Sequence, residues 1–188
     1  MRTRPPVRLA LVASVTVVAL GAAGCTGSDT DTPVPETAEA PFGCPGVPLR
    51  GAELMSGEES LEVAEESGDW GDVPGEFFCF LQAADDDESE TAVIVEEREV
   101  ESAGFGGADE VLEMLRTTEG GHPIESRQPG EGYAFGFGSV EAWWVCEDRL
   151  VKTTLFTPVE GRDPHEDVSR YLGSMLPWAC GSEDVPGD

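Results

Sequence analysis

Residues 132–157 read GYAFGFGSVEAWWVCEDRLVKTTLFT, and they indicate a β-sheet more strongly than any other part of the chain. Over residues 132–138 aromatic side chains alternate with glycine or alanine, which is the period of a strand whose side chains point alternately to opposite faces. Residues 141–147 and 150–157 are two further apolar and β-branched stretches. The polar pair Asp148-Arg149 between them is typical of a hairpin turn. The stretch therefore predicts three consecutive antiparallel strands.

Two apolar stretches earlier in the chain are expected to add strands to this sheet. Residues 77–81 (FFCFL) and residues 91–100, rich in valine, are predicted strands. The acidic residues 85–90 between them are the expected tip of a hairpin. Residues 120–130 are expected to form a loop or a weak strand.

Helices are expected on either side of these strands. Apolar side chains at helical spacing predict helices over residues 109–117 and 164–176, the second with Asp163 as its N-cap and Pro177 as its end. Residues 52–66 carry a less regular pattern, which predicts a short or broken helix. The order α-β-β-α-β-β-β-α predicts an α+β fold, an antiparallel sheet packed with helices.

Four cysteines follow the N-terminal region, and an even number in an exported chain indicates disulfides. Three pairings are possible. We favour Cys44–Cys79 with Cys146–Cys180, because both bonds close loops of similar length and tie a domain end to a strand. Each bond would contribute about 3 kcal/mol to stability. The nested pairing, Cys44–Cys180 with Cys79–Cys146, is the main alternative. The chain has no pair of cysteines at the short Cys-x-x-Cys spacing of zinc sites, so no metal site is predicted. No cofactor is expected.

The first 25 residues have the composition of an export signal. Three arginines lie within the first eight residues, residues 9–23 carry no charge, and small residues lead to Cys25. The uncharged run is shorter than the roughly 20 residues of a membrane-spanning helix. Small residues followed by cysteine resemble a bacterial lipobox, in which the thiol receives a diacylglyceryl group and becomes the N-terminus. We therefore expect residues 1–24 to be a signal peptide and Cys25 to be lipidated; ordinary cleavage that leaves Cys25 a free thiol is the alternative.

A linker is expected after the lipidation site. Residues 25–43 are rich in threonine, proline and aspartate, with Val34 and Phe42 as their large apolar side chains. Burial of two apolar side chains does not offset the loss of conformational entropy when the segment becomes ordered, and we therefore predict a disordered linker. Its coil dimension would be roughly 20 to 25 Å. Residues 44–188 are then expected to form a single globular domain.

The mature chain is strongly acidic. The full sequence has 38 acidic and 11 basic residues, and three of the basic ones belong to the signal, so the mature chain carries a formal charge of −30. This charge repels nucleic acid and anionic lipid, so no nucleic acid is expected as a partner and the membrane is contacted through the lipid anchor only. It favours a basic protein or a cationic ligand, although solubility or adaptation to high salt also explains it.

The chain resembles the small secreted lipoproteins of actinobacteria. The resemblance comes from the lipobox, Cys44 at the start of the domain, Cys79 in an aromatic strand, the late β-meander and the closing helix. Several such proteins have a PsbP-like α+β fold and no assigned function. The resemblance implies a protein anchored on the outer face of the cytoplasmic membrane, and it carries over no catalytic residue.

The aromatic residues of the meander form the candidate binding surface. Trp143 and Trp144 are neighbours in one predicted strand, so they point to opposite faces, and the one outside the core must be covered by a helix, a loop or a partner. Tyr133 lies in the preceding strand. With no coherent set of catalytic residues, the pattern favours a non-catalytic module that binds a protein or a small ligand. The alternatives are a cell-wall hydrolase that uses two carboxylates and a structural or salt-adaptation surface protein.

Overall fold

A computed structural model describes residues 30–71, 76–84, 90–136 and 138–187. The proposed signal peptide and Cys25 lie outside these ranges. Within them the protein has one seven-stranded antiparallel sheet, three helices and two disulfides, so the predicted α+β class is confirmed. In chain order the elements are α1 (Leu49–Ser56), β1 (Leu61–Ser67), β2 (Phe77–Ala83), β3 (Thr91–Glu99), α2 (Ala108–Thr117), β4 (His122–Pro123), β5 (Glu131–Gly136), β6 (Val140–Cys146), β7 (Arg149–Leu155) and α3 (Pro164–Ala179).

The sheet joins two antiparallel meanders. Its strand order is β1-β2-β3-β7-β6-β5-β4, so the early strands β1 to β3 meet the late strands at the β3–β7 pair. In that pair Val93 lies opposite Leu155 and Glu99 lies opposite Arg149. The tight turn between β6 and β7 places Glu147 at a φ of 56°, a left-handed conformation. The sheet ends at β1 on one side and at the two-residue β4 on the other.

Each face of the sheet has its own hydrophobic cluster. The larger cluster lies between the sheet and the helices α1 and α3, and its large buried side chains include Phe77, Trp144 and Tyr171. The smaller cluster lies under α2, where Val111 and Leu115 are fully buried against the opposite face. None of the helices in the described ranges has the length and apolarity needed to cross a bilayer.

One predicted helix is partly a strand. Residues 52–66 were expected to be a short or broken helix, but α1 ends at Ser56 and β1 begins at Leu61. Leu61 lies opposite Ala83 and Val63 lies opposite Leu81, so the apolar side chains of this segment pair with β2. The helical pattern was weak, and cross-strand pairing with a buried neighbour outweighs it.

The last helix begins as predicted and ends later. The Asp163 carboxylate accepts hydrogen bonds from the backbone N–H groups of His165 and Glu166, at 3.0 and 3.2 Å, so the predicted N-cap is confirmed. The predicted end at Pro177 is wrong, because α3 continues to Ala179. The last turn buries Ala179, and the Cys146–Cys180 disulfide ties it to β6, which offsets the backbone hydrogen bond lost at the proline.

The favoured disulfide pairing is confirmed, and the nested alternative is wrong. Cys44 is bonded to Cys79 with Cα atoms 6.1 Å apart, and Cys146 to Cys180 with Cα atoms 5.8 Å apart. The first bond ties the segment before α1 to β2. The second ties the end of β6 to the residue that follows α3.

Residues 30–43, called the N-terminal strap below, are folded onto the domain. Val34 is 1% exposed and belongs to the larger cluster, and the carbonyl of Thr32 accepts a hydrogen bond from Arg162 at 2.8 Å. Phe42 pairs with Pro48 just before α1. The prediction of a disordered linker is therefore wrong for these residues. One fully buried valine and a buried guanidinium order a segment whose overall composition is polar.

Candidate functional site

Trp144 is part of the core rather than of a binding surface. Its ring is 2% exposed, and its indole N–H donates to the carbonyl of Pro129 at 3.0 Å. The ring fills the flat glycine face of β5, because a Cβ added at Gly132 would lie 2.7 Å from it and one at Gly130 would lie 2.5 Å from its nitrogen. The same added Cβ atoms would lie 2.3 Å from the carbonyl oxygens of Val145 and Trp143, so the close approach of the ring and of the neighbouring backbone explains the glycines.

Trp143 and Tyr133 lie together on the opposite face. They are direct cross-strand neighbours in β6 and β5. The Trp143 indole N–H donates to Glu141 at 2.8 Å, and its ring centroid is 5.6 Å from that of Phe135 and 6.2 Å from that of Phe105. The structure thus brings together two of the three aromatic residues of the candidate surface and places Trp144 on the other side of the sheet.

Tyr133 is held to α2 by an ionic contact. Its hydroxyl donates to Glu131 at 2.9 Å, and the guanidinium of Arg116 in α2 donates two hydrogen bonds to the same carboxylate at 3.0 and 2.6 Å. The hydrogen bonds from Arg116 and Tyr133 lower the pKa of Glu131. This contact links α2 to β5.

The remaining half of this sheet face is not covered by α2. The helix lies mainly over β5 and β6, whereas Phe78, Phe80 and Ile94 of β2 and β3 are half-exposed on the same face. One row of cross-strand neighbours runs over the uncovered part, from Phe78 through Glu96 and Lys152 to Trp143. We call this part of the sheet the open face.

A concavity of about 180 Å³ lies where the open face meets the loop after β3. Aromatic and aliphatic side chains form part of its wall, and an acidic and two basic side chains form the rest. We call it the Trp143 concavity. Its lining residues are Glu96, Arg98, Ala103, Phe105, Trp143, Leu150 and Lys152.

The charged groups of the concavity compensate one another. The Lys152 ammonium lies 3.4 Å from Glu96 and 3.3 Å from Glu141, and Arg98 also pairs with Glu96. The same ammonium lies 5.5 Å from the centre of the Trp143 ring, and the Arg98 guanidinium lies 5.2 Å from the centre of the Phe78 ring. Two of the eight basic residues that follow residue 25 are therefore gathered here, so the local charge is near zero on a chain with a formal net charge of −27.

These ion pairs are partly open to solvent. The side chains of Arg98, Lys152 and Glu141 are 26%, 24% and 25% exposed, whereas that of Glu96, the partner of both basic groups, is 14% exposed. A ligand group in the concavity therefore has access to the two basic side chains and to Glu141, while Glu96 is less accessible. The concavity thus offers hydrogen-bond donors and acceptors beside aromatic rings, which is the composition of many small-molecule sites.

A buried carboxylate lies elsewhere. Glu97 accepts hydrogen bonds from the backbone N–H of Gly71 at 2.6 Å and from Arg149 at 3.0 Å. Burial raises the pKa of Glu97, and this effect outweighs the opposing effects of both donors. Trp70 stacks on Phe77 beside it, with ring centroids 4.3 Å apart. The hydrogen bond from Gly71 to Glu97 attaches the segment after β1 to β3. In the described ranges Glu97 does not converge with a second carboxylate in a cleft, as the hydrolase alternative requires.

The two histidines form a contact that sequence spacing did not indicate. The rings of His122 and His165 stack with centroids 4.4 Å apart, and Nε2 of His165 lies 3.2 Å from the carbonyl oxygen of Gly136. The pair joins the edge strand β4 to the first turn of α3. No group of three or more histidine, cysteine or acidic side chains is arranged to hold a metal ion within the described residues.

Sequence reasoning missed most of the concavity. Glu96, Arg98 and Lys152 come from strands that are about fifty residues apart in the chain, and only the β3–β7 pairing places them side by side. A signal that would have helped is the alternation in β2 and β3, where Phe78, Phe80 and Ile94 fall on the face opposite the buried residues. Two apolar faces on one strand indicate either a buried sheet or a surface with a partner.

Comparison of the chain with protein-family models, with curated proteins and with solved structures found no match.

Proposed function

We propose that this chain is a lipid-anchored binding protein on the outer face of the cytoplasmic membrane, and that it binds its ligand without catalysis at the Trp143 concavity. The observation that carries the proposal is the concavity itself, which combines aromatic rings with mutually compensated charges on the open face. The predicted export signal and the lipobox-like sequence at Cys25 support the proposed location. The resemblance to small actinobacterial lipoproteins supports it as well.

The charge of the protein limits the class of ligand. The formal charge of −30 that the mature chain would carry disfavours the approach of anions, and the two basic side chains of the concavity are already paired with Glu96 and Glu141. A neutral or basic ligand with one apolar face avoids this repulsion. Its apolar face would contact Trp143 and Phe105, and its polar groups would contact the ion pairs.

The lipid anchor is tested by the mass of the mature protein. Acylation at Cys25 is expected to add a diacylglyceryl mass to the N-terminal peptide and to place the protein in the membrane fraction. Cys25→Ser is expected to remove both. A native protein that carries a free thiol at Cys25 contradicts this part of the proposal.

The binding site is tested with the mature Cys25→Ser protein in solution. Isotope-labelled protein is titrated with N-acetylglucosamine oligomers and with short lysine-containing peptides, and the indole signals of Trp143 and Trp144 are followed by NMR. Binding at the concavity is expected to shift the Trp143 signal and to leave that of Trp144 nearly unchanged. Trp143→Ala is expected to abolish the titration. Shifts that map away from the open face, or no shift with either probe class, would count against the site.

A further inference from the structure

We infer that the lipid anchor holds the domain close to the bilayer in one orientation, with the end of the sheet where β7 leads into α3 facing the membrane and the Trp143 concavity facing away from it. The inference rests on the proposed function, because it requires the lipid on Cys25. It goes beyond that function by assigning a membrane-facing end to the fold.

The first step is that the strap belongs to the folded domain. The side chains of Arg162 and Asp167 are 5% and 8% exposed and form two hydrogen bonds, at 2.6 and 2.7 Å, while Arg162 also donates to the Thr32 carbonyl. Val34 is buried in the larger cluster, and Glu36 pairs with Arg170 of α3 at 3.1 Å. The chain is therefore attached to the domain from residues 32–36 onward.

The second step is the length of chain that remains. Four residues lie between Cys25 and Thr30, and the five fully extended residue steps from one to the other span at most about 18 Å. A free linker up to Cys44 would have a coil dimension of roughly 20 to 25 Å and a much longer maximum reach. Folding of the strap thus replaces a long, flexible connection by a short one.

The third step is the place where this short connection begins. Thr30 lies beside Gly161, since a Cβ added to that glycine would be 4.0 Å from the Thr30 methyl group. Gly161 lies just before α3, and Nε2 of His165 in the first turn of α3 lies 3.2 Å from the carbonyl oxygen of Gly136. Through the pairing of β5, β6 and β7, Gly136 lies at the same end of the sheet as Leu155, the last residue of β7. Because Val93 pairs with Leu155, the start of β3 lies at the same end of the sheet. The anchor therefore reaches the domain at the end where β7 finishes.

The fourth step is that the concavity lies toward the opposite end and on the opposite face. Its residues Arg98 and Leu150 pair with each other near the end of β3 and the start of β7, and Val100 bonds to the turn residue Asp148. Seven residues of an antiparallel strand span about 20 Å. The strap contacts the α1 and α3 side of the sheet, whereas the concavity opens on the other side. A domain held by the strap end therefore presents the concavity outward.

The test uses the full lipidated protein, purified from membranes and reconstituted into vesicles that contain quencher-labelled lipid. A small fluorophore is attached through an azide-bearing amino acid at position 157, which follows β7, or at position 102, which follows β3; Thr157 and Ser102 are both exposed. We expect quenching at position 157 to be several-fold stronger than at position 102. Equal quenching at the two positions overturns the orientation.

Two controls separate the short connection from other causes. Insertion of fifteen glycine and serine residues between Asp29 and Thr30 is expected to reduce quenching at position 157 to the level at position 102. Val34→Asp, which releases the strap, is expected to act in the same direction in protein that retains both disulfides and its circular dichroism spectrum. Unchanged quenching after the insertion overturns the inference. The mass of the same protein reports the lipid separately: an unacylated Cys25 refutes the proposed function together with the inference, whereas an acylated protein without the difference refutes the inference alone.

Discussion

Trp143 and Trp144 are adjacent in β6 and belong to different hydrophobic clusters, one on each face of the sheet. Trp144 fills the space above Gly132 of β5 and Gly130 just before it, and its side chain is buried. Trp143 borders a concavity and contacts the ammonium group of Lys152. The two neighbours therefore separate the stability of the fold from its proposed binding function, and substitutions at the two positions should have different effects.

Replacement of Trp144 by alanine should destabilise the protein far more than the same change at Trp143. Removal of the buried ring leaves a large cavity, for which we expect a loss of about 3 to 5 kcal/mol in the free energy of unfolding. Trp143→Ala removes a ring that is only partly buried, so we expect less than half of that loss. Urea unfolding followed by circular dichroism measures both. Equal losses would show that Trp143 is also a core residue.

Loss of the Arg162 guanidinium should release the strap. Arg162→Ala leaves the buried carboxylate of Asp167 without its partner, and such changes cost about 3 to 5 kcal/mol. The matched control is Arg50→Ala, because the Arg50–Glu53 pair lies on the surface with the arginine 55% exposed, and we expect a loss below about 1 kcal/mol. Cleavage after Glu36 by a glutamate-specific protease should become fast in Arg162→Ala and stay slow in Arg50→Ala, because cleavage requires release of the strap. Equally slow cleavage in both variants would contradict the prediction.

Removal of the second disulfide should loosen the end of α3. In the double variant Cys146→Ser with Cys180→Ser, the lost constraint on the unfolded chain corresponds to about 3 to 4 kcal/mol for a separation of 34 residues. The turn after Pro177 should also lose amide protection, because the bond offsets the hydrogen bond missing at the proline. Peptide mapping of the parent protein without reduction should recover the Cys146–Cys180 peptide pair, and a Cys44–Cys180 peptide would refute the structure.

The buried Glu97 should make stability depend on pH. Its pKa in the folded protein is raised above the ordinary value of 4.5, so the folded state binds its proton more tightly than the unfolded state does. This contribution to stability is fully present below the unfolded pKa and is lost as the pH rises through the folded pKa. Glu97→Gln has no titrating group at this position and should lack this dependence of stability on pH. As the pH rises from 4.5, the free energy of unfolding of the parent should therefore fall relative to that of the variant. Urea titrations at a series of pH values measure it, and a difference that is constant with pH would contradict the prediction.

The strands and helices with strong periodicity were predictable from the sequence. The alternation in β5, the apolar runs of β2 and β3 and the helical spacing of α2 and α3 all correspond to elements of the structure. The N-cap at Asp163 followed from its position before a proline and a helical pattern. In each case the local pattern and the tertiary packing favour the same conformation.

The strap and β1 were not predictable in the same way. The strap is ordered by Val34 and by a guanidinium more than a hundred residues away, and no local pattern reports such a contact. β1 has a mixed pattern that only its pairing with β2 resolves. The site follows the same rule: Trp143 and Tyr133 stand out in the sequence, whereas Glu96 and Lys152 become neighbours only through the register of β3 and β7.

The open edge of the sheet also affects how neighbouring copies behave. β1 carries Glu62, Glu65 and Glu66 and a bulge between Val63 and Glu65, so a second copy that added its own β1 in register would bring like charges together along a kinked strand. The opposite edge, β4, offers two residues, of which Pro123 lacks a backbone donor. Both edges are thus poor templates for intermolecular strand pairing. Proteins crowded side by side at one interface are at particular risk of such aggregation, and these edges are expected to keep the molecules separate at high local density.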